Sequence, residues 1–186
     1  MTEDAPPLLT LEPFIEAVQD GITRAGWVLS GLQKTTSHQF EGRWQGESSR
    51  SAYLFFHNDR NPDFVSIDVF LDETTKGLKG NFALVVSGPE MGLLEPMPDL
   101  LAALAKVTAD CLPEHYHTPF VVRLRMDGPR DDPRAAETEV RIKLTIPSEA
   151  LDAGASAVSA LASSTATAFE RSLAHEGLRS SLIEAE

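Results

Sequence analysis

The run from Asp63 to Leu71, DFVSIDVFL, leaves the backbone little choice. Val65, Ile67, Val69 and Leu71 recur at period two. Phe64, Ser66, Asp68 and Phe70 occupy the alternate positions. That alternation belongs to a strand, whose successive side chains point to opposite faces. Turn-forming residues bound it: Asn58 to Pro62 before, Asp72 to Gly77 after. Similar runs flank it, so it reads as an inner strand of an antiparallel sheet. The apolar set is the natural floor for covering helices. The mixed set, with Phe64 and Phe70 at its ends, is the face on which to expect a partner or a twin.

Strands are expected at 27–32 and 38–45, where Phe40 and Trp44 share a side, with a hairpin loop over Gly46 to Ser49. Tyr53 to His57 is dense in aromatics, which fits burial on both faces. Lys79 to Ser87 follows, with Phe82, Leu84 and Val86 on one face, and Gly88-Pro89 breaks the pattern. Two further strands are read over 120–126 and 140–146, joined by a charged loop. The short connections in the first half favour an antiparallel meander.

Helical spacing marks three other segments. Leu11, Phe14, Ile15, Val18 and Ile22 form a stripe that starts behind the N-cap candidate Thr10 and stops at Gly26. Leu100, Leu101, Leu104, Val107 and Cys111 form a second, starting at Pro98 or Asp99 and ended by Pro113. Val158, Leu161, Thr165, Phe169 and Leu173 form a third, with Gly154 as a break near its start. Its flanks are rich in Ala and Ser, which suit close packing against a twin. The fold class is therefore α+β: an antiparallel sheet covered by N-terminal, middle and C-terminal helices. Residues 1–9 read as a flexible tail, 10–177 as a single domain and 178–186 as a weakly ordered end.

Composition narrows the function. The chain has 186 residues, a formal net charge of −12 and one cysteine, Cys111, expected as a small buried thiol. A chain of this length can bury roughly 70% of its unfolded surface without a disulfide or metal. The acidity opposes direct nucleic-acid binding and steers basic partners. The acidic start, MTEDAPPLL, is unlike a signal peptide, and no apolar run reaches the ~20 residues of a membrane span. These features predict a cytoplasmic protein.

Each candidate for chemistry has an ordinary explanation. His115 and His117 stand at the spacing of a metal pair, yet no further ligand motif accompanies them, and loop histidines explain them. His57, Asp59 and Asp63 surround a turn and have no nucleophile by spacing; turn chemistry accounts for Asn58, Asp59 and Asn61. Phosphate loops and calcium loops are absent. No catalytic residue, metal or cofactor is expected. Arg123, Arg125, Arg141 and Lys143 are more informative. Residues 119–146 hold six basic and five acidic side chains, about +1 against about −13 for the rest. The strip suits an acidic partner or nucleic acid, a solvated hairpin face, or salt bridges to acidic helices.

The order is helix, meander, helix, two strands, helix. It is carried by the Phe14–Ile22 stripe, the strands at 38–45, 53–57, 64–71 and 79–87, the Leu100–Leu112 helix, the 120–126 and 140–146 pair and the closing helix. This order resembles the type III secretion chaperones and the YbjN family, which is similar to them. At least one extra strand in the first half departs from the chaperone pattern. The resemblance implies a non-enzymatic homodimer that binds a protein client; the acidic charge makes that client a basic one, with nucleic-acid-binding proteins among the candidates. Phe64, Phe70, Val158, Leu161 and Phe169 are the expected partner or dimer contacts. The alternative is a small-molecule helix-grip domain, with Trp44, Tyr53, Phe55 and Phe82 lining its cavity.

Overall fold

The computed structural model describes residues 11–37, 49–74, 76–89, 97–114, 116, 120–128, 131, 137–176 and 178–179. The elements run α1 (Leu11–Arg24), β1 (Val28–Ser37), β2 (Ser49–His57), β3 (Val65–Thr74), β4 (Gly77–Pro89), α2 (Met97–Cys111), β5 (Phe120–Asp127), β6 (Glu137–Thr145), α3 (Ser148–Asp152) and α4 (Ala155–Leu173). The strands form one six-stranded sheet in the order β1-β2-β3-β4-β6-β5. Every neighbouring pair is antiparallel. The α+β expectation holds.

The opening run lies at β3, with Val65, Ile67, Val69 and Leu71 all within 1% of full burial. Their cross-strand partners on β4, Val86, Leu84, Phe82 and Gly80, share that face, and so do Leu144, Ile142 and Val140 on β6. Helices α1 and α4 lie side by side on it, α1 reaching β1 to β3 and α4 reaching β4. Helix α2 packs on α4, with Leu104 and Thr108 buried.

Gly26, at φ 93, ends α1 in a conformation that other residues rarely adopt. Gly154, at φ 96, separates α3 from α4. At the start of α1 the Leu11 N–H donates to Glu73 Oε2 of β3, 3.0 Å away. A helix end left with orphan N–H groups is thus capped from the sheet, with an anion where the dipole favours one.

Several expectations change. β1 continues to Ser37 and pairs there with Ser49, so β2 begins where a hairpin loop was expected. The expected strand at 38–45 lies outside the described residues, as do Thr10 and the 1–9 tail. β4 continues through Gly88 and Pro89, which face Thr138 and Glu137. Cys111 is half-buried rather than buried. Leu178, placed in the weakly ordered end, is 1% exposed and belongs to the core.

The small side chains of α4 serve a different neighbour from the one expected. A Cβ on Gly21 of α1 would overlap the Ser159 carbonyl oxygen and stand 2.8 Å from Ala162 Cβ. Close approach is used within the chain, between α1 and α4. Val158, Leu161 and Phe169 are correspondingly buried in the chain's own core, at 0%, 2% and 0% exposure. They present no surface to a partner, and the expectation that they form a dimer interface is corrected. The same stripe periodicity marks an intramolecular and an intermolecular face alike.

Candidate functional site

The face of the sheet turned away from the helices has no covering element among the described residues. Parity sets its members. Ala52, Leu54 and Phe56 of β2 point into the core, so Ser51, Tyr53, Phe55 and His57 point out. Tyr53 and Phe55 are 38% and 36% exposed, and Val28 on the β1 edge is 53% exposed. The expectation that Tyr53 to His57 is buried on both faces is therefore corrected. β2 is an inner strand, but only one of its faces is covered by described elements.

Phe70 of β3 lies opposite Tyr53, with ring centroids 4.8 Å apart and planes tilted by 39°. This is the offset or tilted arrangement that aromatic quadrupoles prefer. Phe64, just before β3, is half-buried against the core edge. The two expected contacts on this face thus sit at its margin and in its aromatic cluster. Phe82 points the opposite way, into the core. Tyr53 and Phe55 cannot line one cavity with Phe82, and Trp44 lies outside the described residues.

The other half of the face is charged. Register places Phe55, Asp68, Ala83, Lys143 and Val121 in one row across β2, β3, β4, β6 and β5. The next row holds Ser66, Val85, Arg141 and Arg123. Arg141 reaches over β4 to Asp68, Nη2 to Oδ2 3.3 Å, and its Nε lies 3.4 Å from Glu139 Oε1. Ser66 Oγ donates to Asp68 Oδ1 at 2.9 Å. Ala83 and Val85 lie under this bridge and are nearly buried, at 1% and 6%. Burial raises the Asp68 pKa above the ordinary carboxylate value, while the Ser66 hydrogen bond and Arg141 oppose the rise.

Arg123 lies directly opposite Arg141, and Arg125 opposite Glu139. Arg125 also pairs with Asp127 at 3.2 Å. The four expected basic residues thus share one patch on β5 and β6. Arg123 and Lys143 have no carboxylate within ion-pair distance among the described residues. Among the described residues the strip partners acids of the sheet rather than of the helices and leaves two cations over.

The other candidate groups fall elsewhere. His57 Nε2 lies 3.5 Å from Asp59 Oδ1 on an exposed turn, whose Asn58 Oδ1 accepts the Arg60 N–H at 3.0 Å. Asn58 Nδ2 and Asn61 Nδ2 both donate to Glu170 Oε1 of α4, at 2.9 and 3.3 Å. The turn is a clamp between sheet and helix. His115 and His117 lie outside the described residues. Among the described residues no group of three His, Cys, Asp or Glu side chains is placed to hold a metal. No described helix is long and apolar enough to cross a membrane.

Sequence reasoning missed the acids that organise these contacts. Glu73 and Glu170 meet partners far along the chain, and no local signal marks them. No protein-family model, curated protein or solved structure matches the chain.

Proposed function

We propose that the protein is a non-enzymatic, homodimeric binding module of the chaperone or adaptor kind, acting in the cytoplasm, with the open sheet face as its contact surface. The observation that carries the reading is the cluster of Val28, Tyr53 and Phe55, exposed together beside Phe70 with no described element over them. Contiguous exposed apolar groups rimmed by charge are what protein-interaction sites present. The element order supports the kind of protein: it is the order by which the chain resembles type III secretion chaperones and YbjN proteins. The helix face is filled by α1 and α4, which leaves the open face for a partner.

At long range the formal charge of −12 steers basic clients, nucleic-acid-binding proteins among them. Short-range contact follows local charge, and Arg123, Arg125, Arg141 and Lys143 stand together on the β5–β6 half of the open face. The test is light scattering with affinity capture, using the wild-type protein and Phe55→Asp. Phe55 is partly exposed, so its replacement leaves the core intact. A wild-type dimer that becomes monomeric, or a stoichiometric partner that is lost with the variant, supports the reading. A variant with native circular dichroism and unchanged mass and partner recovery refutes it.

A further inference from the structure

Resting on the reading of the open face as a contact surface, we infer that the β5–β6 half of that face is a site for an extended acidic segment of a partner protein, with alternating carboxylate and apolar side chains. Arg123 and Arg141 are direct cross-strand neighbours. Like charges so placed repel, unless an anion lies between them. Arg141 is held by Asp68 and Glu139, whereas Arg123 has no described acidic partner. Lys143 stands two residues from Arg141 on the same face and is equally unmatched. Lys79, which shares the face, is paired with Asp72 at 3.3 Å. Among the described residues, two cations therefore remain without a carboxylate partner on a surface that belongs to an acidic protein.

Spacing selects the ligand. Residues two apart on a strand are roughly 6.6–6.8 Å apart on one face. An extended segment running along β6 presents its own alternate side chains at that same interval. One carboxylate then meets the Arg123 and Arg141 guanidinium groups, and the next meets the Lys143 ammonium. Val121, 45% exposed and opposite Lys143, offers an apolar contact beside them. Guanidinium forks match carboxylates in a planar, two-bond fashion, which gives the site direction as well as charge.

A nucleic-acid strand fits less well. Asp68, Glu139 and Asp127 border the patch, and the whole chain carries −12. A polyphosphate extends past Arg123 and Lys143 into that field, and its binding needs a broad basic surface. A short acidic segment does not.

The experiment uses fluorescence anisotropy with three labelled probes: a peptide alternating Glu and Val, its Lys and Val counterpart, and an oligothymidylate. The full chain is titrated as wild type, Arg123→Glu/Lys143→Glu and Arg123→Lys/Lys143→Arg. The Glu peptide binds the wild type and weakens on added salt. The charge-reversed protein binds it roughly tenfold more weakly or worse, as two lost and inverted ion pairs require. The charge-conserving protein binds between the two, because it keeps the charges but loses the two-bond contact of Arg123. Equal binding of Glu and Lys peptides overturns the inference, and so does indifference to charge reversal in a folded variant. Tighter binding of oligothymidylate through the same residues overturns it in favour of nucleic acid. Loss of dimer or partner with Phe55→Asp alongside a Glu peptide that does not bind sinks this inference alone and leaves the broader reading standing.

Discussion

Alanine at Gly21 separates two effects of opposite sign. Within a helix, Gly→Ala ordinarily stabilises by about 0.5–1 kcal/mol, because glycine loses more backbone entropy on folding. Here the added methyl meets the Ser159 carbonyl oxygen and stands 2.8 Å from Ala162 Cβ. Carbon atoms pack at about 3.5–4.0 Å, so α1 and α4 must part by about 1 Å. A backbone carbonyl has no rotamer by which to move aside. Overpacking of this kind costs about 1–3 kcal/mol, and an immovable neighbour places it toward the upper end. The expected net effect is a loss of about 2 kcal/mol. For a chain of this size that lowers Tm by about 4–8 °C. Thermal and urea unfolding followed by circular dichroism measure it, with an unchanged m-value as the check that the same transition is compared. Gly21→Ala/Ala162→Gly recovers little, because the Ser159 carbonyl remains. A Tm equal to or above that of the wild type refutes the close contact between the helices.

Glu73→Ala removes the acceptor of the Leu11 N–H and of Arg50 Nη2, which lies 2.7 Å away. Loss of the cap is expected to cost about 1–2 kcal/mol in urea unfolding, and a change under about 0.5 kcal/mol means the helix start is held otherwise. Asp68 gives a pH signature. Its folded pKa is raised by burial. Its stabilising contribution is complete below the unfolded value and is lost as pH rises through the folded one. Urea midpoints should show the wild type losing stability relative to Asp68→Asn as pH rises through the acidic range; parallel curves exclude the shift. The same substitution frees Arg141, and the Glu peptide should bind it more tightly than it binds the wild type.

Period-two and helical patterns are set by local backbone geometry, and they were legible. The Val65/Ile67/Val69/Leu71 face is the floor of the core as expected, and Gly26 and Gly154 stop helices where expected. The Phe14-to-Ile22 and Val158-to-Leu173 stripes are real, and both are buried. Strand limits were less legible. Ser49 was expected in a hairpin loop and the strand from Tyr53, but pairing with β1 and β3 starts the strand at Ser49.

Which residues share a face, and where most helices and strands run, follow from the geometry of adjacent residues and can be read along the chain. What each face meets was settled by the fold. It placed β6 between β4 and β5, which brought Arg141 to Asp68 across a separation of 73 positions. It gave Val158, Leu161 and Phe169 to the core rather than to a partner, since α1 was there to cover them. It left Tyr53 and Phe55 in the open, since the helices cover one side of the sheet. Such pairings depend on how distant segments share space and apolar area, and periodicity carries no record of that.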